Sequence, residues 1–165
     1  MRQIGQDART WTDHTDVRPT ILSLVGLKDT YVHDGRVLVE ALETHAQPLR
    51  LRGHASTLSE LTHVYKQINA PFGRLALESL EISTAALSSG DANGDAVYSN
   101  LQAKIAGWTA RRDVLADAIK TILGGAAFDD ERLDEGQMRQ LAADAVDLLQ
   151  DVRHCAEDVA RCALK

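Results

Sequence analysis

Aromatic residues make up only 4% of this 165-residue chain, and it holds only three prolines and two cysteines. No stretch alternates Val, Ile and Thr with polar residues in the way a half-buried strand requires, so a sheet is not expected. Basic residues are outnumbered 18 to 24, giving a net charge of −6 with the two signs interspersed. Phosphate binding needs clustered Lys and Arg, so nucleic acid is not an expected partner. No apolar run approaches the length needed to cross a bilayer, so no membrane partner is expected either. The opening MRQIGQDART lacks the apolar stretch of a signal peptide. Taken as written, the chain reads as cytoplasmic. There is no GxSxG elbow, no Walker A loop and no GxGxxG.

The two cysteines, Cys155 and Cys162, stand seven positions apart in a helical pattern. In one helix that spacing is roughly 10 Å along the axis, beyond the ~7 Å that a disulfide tolerates between Cα atoms. Both are therefore expected as reduced thiols packed in a core. With neither a CxxC nor a nearby Cys/His pair, no metal or redox motif includes them.

What the chain has in quantity is Ala and Leu within a globular balance of 44% apolar and 25% charged residues. These residues lose little on entering a helix. The length suits one domain with a core of its own, or one domain with an appendage.

Residues 1–54 read as a largely irregular segment with two short helices. The first is capped by Asp16, admits Pro19 in its opening turn and ends at Gly26. The second covers about residues 36–45, before Pro48. Residues 55–165 carry three long apolar seams. The first follows a capping box at Thr57 and Glu60 and runs Leu58, Leu61, Tyr65, Ile68, Phe72, Leu75, Ile82, Ala86, with a kink expected at Pro71 and an end at Gly90. The second starts near Asp95, runs Tyr98, Leu101, Ile105, Trp108, Arg112, Leu115, Ile119, Ile122, and is expected to stop at Gly124-Gly125. The third starts near Asp134 and runs Met138, Leu141, Ala145, Leu148, Val152, Cys155, Val159, Cys162. An unbroken 4-3 repeat predicts near-parallel packing with a left-handed twist, as in a coiled coil. Three helices of about 28 to 33 residues, joined by short polar links, predict an all-α antiparallel bundle of three long helices. The N-terminal segment is available as a fourth element.

Arg112 interrupts the second seam, and a guanidinium there must pair or reach water. Antiparallel register puts it near residue 146, between Asp144 and Asp147. A pair with one of them competes with a head lying at the bundle surface. Glu60-x-x-His63 and Asp151-x-x-His154 match the spacing of di-metal bundle ligands. The seam phase turns both pairs outward, so solvated surface residues are expected. The loop Asp13-His14-Thr15-Asp16, with a His flanked by acids, is a candidate metal position.

That loop opens a longer resemblance. Thr12-Asp13-His14-Thr15-Asp16-Val17-Arg18-Pro19-Thr20-Ile21-Leu22-Ser23-Leu24-Val25-Gly26-Leu27 resembles the closing motif of alkaline-phosphatase-superfamily hydrolases, a group that includes sulfatase-like and phosphodiesterase-like enzymes. Asp34-Gly35-Arg36-Val37-Leu38 with Leu42 is similar to the stretch that follows it in that family. The likeness covers residues 1–43. It implies a metal-ligand role for His14 alone, usually toward zinc, because the family's nucleophile and remaining ligands lie upstream of this motif. One ligand cannot hold a catalytic metal, so zinc at His14 would need ligands from elsewhere and no cofactor is expected on the chain alone. The resemblance thus implies the detached end of a hydrolase followed by a helical bundle, exported if the parent is secreted. The apolar face of Ile21, Leu24, Val25, Leu38 and Leu42 would then need cover from the bundle or a second subunit. The leading expectation is a non-catalytic interaction and assembly module, a homo-oligomer or the companion of another protein. The alternatives are a one-ligand contributor to a hydrolase completed by another chain, and a small helical metal or ligand carrier.

Overall fold

The computed structural model describes residues 10–88 and 94–164. All regular elements among them are helical: α1 (Val17–Leu24), α2 (Ala55–Asn69), α3 (Arg74–Ser88), α4 (Gly94–Phe128), α5 (Glu135–Glu157) and α6 (Val159–Ala163), with short 3-10 turns before α1 and between α1 and α2. The expected all-α bundle is what the chain forms. Its three long arms are α2 with α3, α4, and α5 with α6, each packed against the other two.

Consecutive arms alternate in direction along the chain. Asn100 near the start of α4 donates to the Ala163 carbonyl at the end of α6 (3.3 Å), and Arg111 pairs with Asp151 at 2.8 Å, so α4 and α5 are antiparallel. His54 and Glu135, at the starts of α2 and α5, meet at 2.9 Å, so those two run together. The centre is built from the predicted seams: Leu61, Ile82, Leu101, Ile119, Met138, Leu148 and Val152 are all 1% exposed or less. Burial on this scale is what holds isolated amphipathic helices together.

Several boundaries differ from the sequence reading. The first long helix is two helices, because the backbone leaves the helical path at Ala70 (ψ 146). Pro71 follows, and Gly73 packs so near the end of α2 that a Cβ there would lie 2.5 Å from the Gln67 carbonyl oxygen. Phe72, placed in the seam by spacing, is 76% exposed for the same reason. The capping box at Thr57 and Glu60 is not used: α2 begins at Ala55, and Thr57 is buried inside it. Gly124-Gly125 does not stop α4, which continues to Phe128 while the following loop folds back to donate to the Gly125 carbonyl from Asp129 and Glu131. The expected end at Gly90 lies outside the described residues.

The N-terminal segment is part of the same core. Val37, Val39, Leu42 and Leu51 are buried with the bundle residues. The predicted helix over 36–45 is instead a chain of 3-10 turns at Val39–Ala41, Thr44–Ala46 and Leu49–Leu51. The turn that closes α1 does fall at Gly26, whose φ of +67 suits glycine, with Leu27 N donating to the Leu22 carbonyl at 2.9 Å.

The cysteines are bridged, contrary to expectation. α5 ends at Glu157, Asp158 turns out of the helical region (φ −147), and α6 restarts at Val159. That interruption draws the Cα atoms of Cys155 and Cys162 to 5.1 Å. The geometric exclusion held for one continuous helix, and the helix is not continuous.

Candidate functional site

The residues singled out at the N-terminus converge on a buried ionic cluster. Asp13 caps the 3-10 turn His14–Asp16, accepting from Thr15 N at 2.8 Å, while Asp16 reaches back to Asp13 N at 3.0 Å. Asp16 was expected to cap α1, but it makes no side-chain cap there. It is fully buried, accepts from Arg36 N at 2.8 Å, and lies 2.8 Å from Lys66 Nζ. The same ammonium is 3.1 Å from Asp13 Oδ2, and the Lys66 side chain is 2% exposed. Next to it on α2, Tyr65 donates its hydroxyl to the Asp34 carbonyl at 2.6 Å and accepts from Asn69 at 2.9 Å.

Two carboxylates on one ammonium repay part of the cost of burying Lys66 and Asp16, with Asp13 at the edge of the cluster. Gly35 completes the joint: a Cβ there would lie 2.0 Å from the Thr15 carbonyl oxygen, so the strand of chain before Arg36 lies flat on the loop. Burial opposes ionisation of Asp13, but hydrogen bonds from Thr15 and Lys66 outweigh it and hold its pKa below the usual carboxylate value. A lowered folded pKa adds stability above the unfolded value of about 4, lost as pH falls through the folded one. Urea midpoints should therefore drop more steeply below about pH 4 in the native chain than in Asp13→Asn. Equal slopes would mean that the Thr15 and Lys66 contacts do not bias that carboxyl. The same cluster pushes the Tyr65 phenol upward, by burial first and then by the charges of Asp34, Asp16 and Asp13.

His14, the candidate metal residue, sits in this turn and is exposed. The acids flanking it are committed to Thr15, Arg36 and Lys66, so the surroundings do not make a zinc site. Among the described residues no group of three His, Cys, Asp or Glu side chains could hold a metal ion. Glu60, His63, Asp151 and His154 are all exposed and stay apart from this cluster.

Arg112 does not pair with Asp144 or Asp147. Its Nε lies 2.8 Å from Asp113 Oδ1, an ion-pair contact at an angle that makes no hydrogen bond. Arg111 takes the cross-helix role instead, meeting Asp151 and the Asp144 carbonyl. Arg112 lines a polar cavity of about 360 Å³ with Asp13, Asp34, Lys66, Asn69 and Lys120. The break in the apolar seam thus marks where the bundle abandons dry packing beside the ionic cluster. A second cleft of about 670 Å³ lies between the N-terminal segment and the end of α4, lined by Leu22, Tyr31, Val37, Leu123, Phe128 and Lys120. Lys28–Asp129 and Arg50–Asp130 ion pairs tie the N-terminal segment to the loop after α4.

Two apolar stripes remain uncovered. On α1, Val17, Ile21, Leu24 and Val25 recur at helical spacing and are 40–60% exposed, while Pro19 and Thr20 on the opposite side are buried. Of the apolar set that needed cover, Leu42 is fully buried and Ile21, Leu24 and Val25 are not. On α3, Leu77, Leu80 and Leu87 are 50%, 64% and 71% exposed, opposite the buried Leu75, Ile82 and Ala86.

No described helix is long and apolar enough to cross a membrane. Compared with protein-family models, curated proteins and solved structures, the chain finds no match.

Proposed function

We propose that the chain is a helical interaction and assembly module without chemistry of its own, and that it self-associates through the outer face of α3. The observation that carries this reading is the stripe Leu77, Leu80 and Leu87. Its three-and-seven spacing repeats, on the outside of the helix, the seam that the inside uses to build the core. Contiguous apolar surface on a folded helix marks association more often than chance exposure. Two copies related by a two-fold axis would each bury the stripe against its equivalent. The ionic cluster supports the reading in another way: its acids hold the N-terminal segment in place and leave His14 as a single imidazole.

The expected result is a dimer in sedimentation velocity at micromolar concentration. Leu80→Glu should be monomeric with an unchanged far-ultraviolet spectrum, and Ile21→Glu should remain dimeric. A native chain that stays monomeric throughout the concentration series contradicts the proposal.

A second reading rests on the resemblance to the end of an alkaline-phosphatase-like hydrolase. In that case the α1 stripe would pack on the missing catalytic domain of a phosphoesterase or sulfatase, and His14 would contribute one zinc ligand to a centre completed by another chain. Stoichiometric zinc retained by the purified chain and lost in His14→Ala would favour it. Metal-free protein with an intact fold would count against it.

A further inference from the structure

We infer that Cys155 and Cys162 form a site of reversible thiol–disulfide exchange, and that its oxidation state decides whether the last helix is broken or continuous. Residues 155–164, Cys-Ala-Glu-Asp-Val-Ala-Arg-Cys-Ala-Leu, contain neither glycine nor proline. Ala, Glu, Arg and Leu are good helix formers, and the apolar seam continues in phase through Val159 and Cys162. The one local signal for a stop is Asp158 itself, whose side chain caps α6, and the helix stops there. What the stop achieves is the approach of the two cysteines to 5.1 Å between Cα atoms. In one helix they would be roughly 10 Å apart, so the bridge and the continuous helix exclude each other.

Each state has its own ties. In the bridged state Asp158 caps α6 through Arg161 N at 3.1 Å, Ala163 is buried, and its carbonyl accepts from Asn100 of α4. In the continuous state the amides of Val159, Ala160 and Arg161, now the first turn of α6 and without carbonyl acceptors one turn back, regain them. Glu157 also comes within reach of Arg161 at the favourable i, i+4 order.

The co-reactant is a dithiol. Cys155 is 3% exposed and Cys162 is half-buried, so the incoming thiolate attacks the Cys162 sulfur. A mixed disulfide forms at Cys162, the Cys155 sulfur leaves and takes a proton, and the second thiol of the reductant displaces Cys162 as a thiol. Two electrons pass to the protein, which ends with two thiols, and the reductant ends as its own disulfide.

The test uses the full chain with dithiothreitol as the dithiol. Alkylation followed by mass measurement should find no free thiol in air-oxidised protein and two after reduction. Hydrogen exchange at Val159 and Ala160 should then slow by about tenfold or more on reduction, because these amides gain helical acceptors, whereas Arg161 N already has the Asp158 carboxylate. The double variant Cys155→Ala/Cys162→Ala should match the reduced protein without any reductant. Free thiols in the oxidised chain, or unchanged exchange in both the reduced protein and the double variant, would overturn the inference.

Discussion

Lys66→Met should destabilise the chain by about 3–5 kcal/mol, the range found when one partner of a buried ion pair is removed. The methionine stem fills the space of the lysine stem, so packing changes little and the effect isolates the charge. Asp16, fully buried, would lose its counter-charge at 2.8 Å and keep only the amides of Asp13 and Arg36. Urea unfolding should show a lower midpoint with an unchanged slope. Adding Asp16→Asn to Lys66→Met should recover part of the loss, because the charge left unpaired by the first change is then gone. A loss below about 1 kcal/mol for Lys66→Met, as for an exposed pair, would show that water reaches the ammonium.

Gly35→Ala should be the second most damaging change, at about 1–3 kcal/mol, the cost of forcing volume into a packed site. The new methyl meets backbone: Thr15 O at 2.0 Å, Thr15 C at 2.2 Å and Asp16 N at 2.5 Å. No side-chain rotation relieves those contacts, so the 13–16 turn must shift. That shift pulls Asp16 from Arg36 N and from Lys66. The two changes act on one joint, and their effects should combine to less than their sum. Strict additivity would separate the glycine contact from the ionic cluster.

The apolar spacing made the helices legible. The spacing assigns Leu61, Ile82, Leu101, Ile119, Met138, Leu148 and Val152 to the seams, and all lie in the core. Periodicity identifies which face is buried, and it says less about where the chain departs from a helix. Ala70–Gly73 escaped because Pro71 permits either a kink or a break, and the choice falls to the close approach of Gly73 to the end of α2. Gly124-Gly125 escaped in the opposite sense: helix propensity is a weak preference, and packing over the last turns of α4 overrides it. The bridge escaped because its exclusion assumed the continuity that the bridge itself removes.

The ionic cluster was half legible. In the loop from Asp13 to Asp16 the sequence signal is a histidine flanked by acids. The histidine is exposed, while the two acids do the structural work. Their partner carried no signal. Lys66 sits between Tyr65 and Gln67 on a helix that is buried on nearly every side from Leu61 to Ile68, and its polar residues hide that burial from any hydrophobic pattern. Arg112 did carry a signal, an ion in an apolar seam, but the partner inferred from register was wrong because the side chain turns to the polar cavity rather than to α5.

The N-terminal segment is a fixed part of the bundle, held to α2 by the contacts of Asp13 and Asp16 with Lys66. Native-state hydrogen exchange tests this most directly at two amides: Arg36 N, held by Asp16 at 2.8 Å, and Leu38 N, held by Thr20 Oγ1 at 3.0 Å. Both should exchange only through global unfolding, with the same free energy as Ile119 and Leu148 at the bundle centre. Exchange of Arg36 and Leu38 near the rate of an unstructured peptide, while the bundle centre stays protected, would contradict the account.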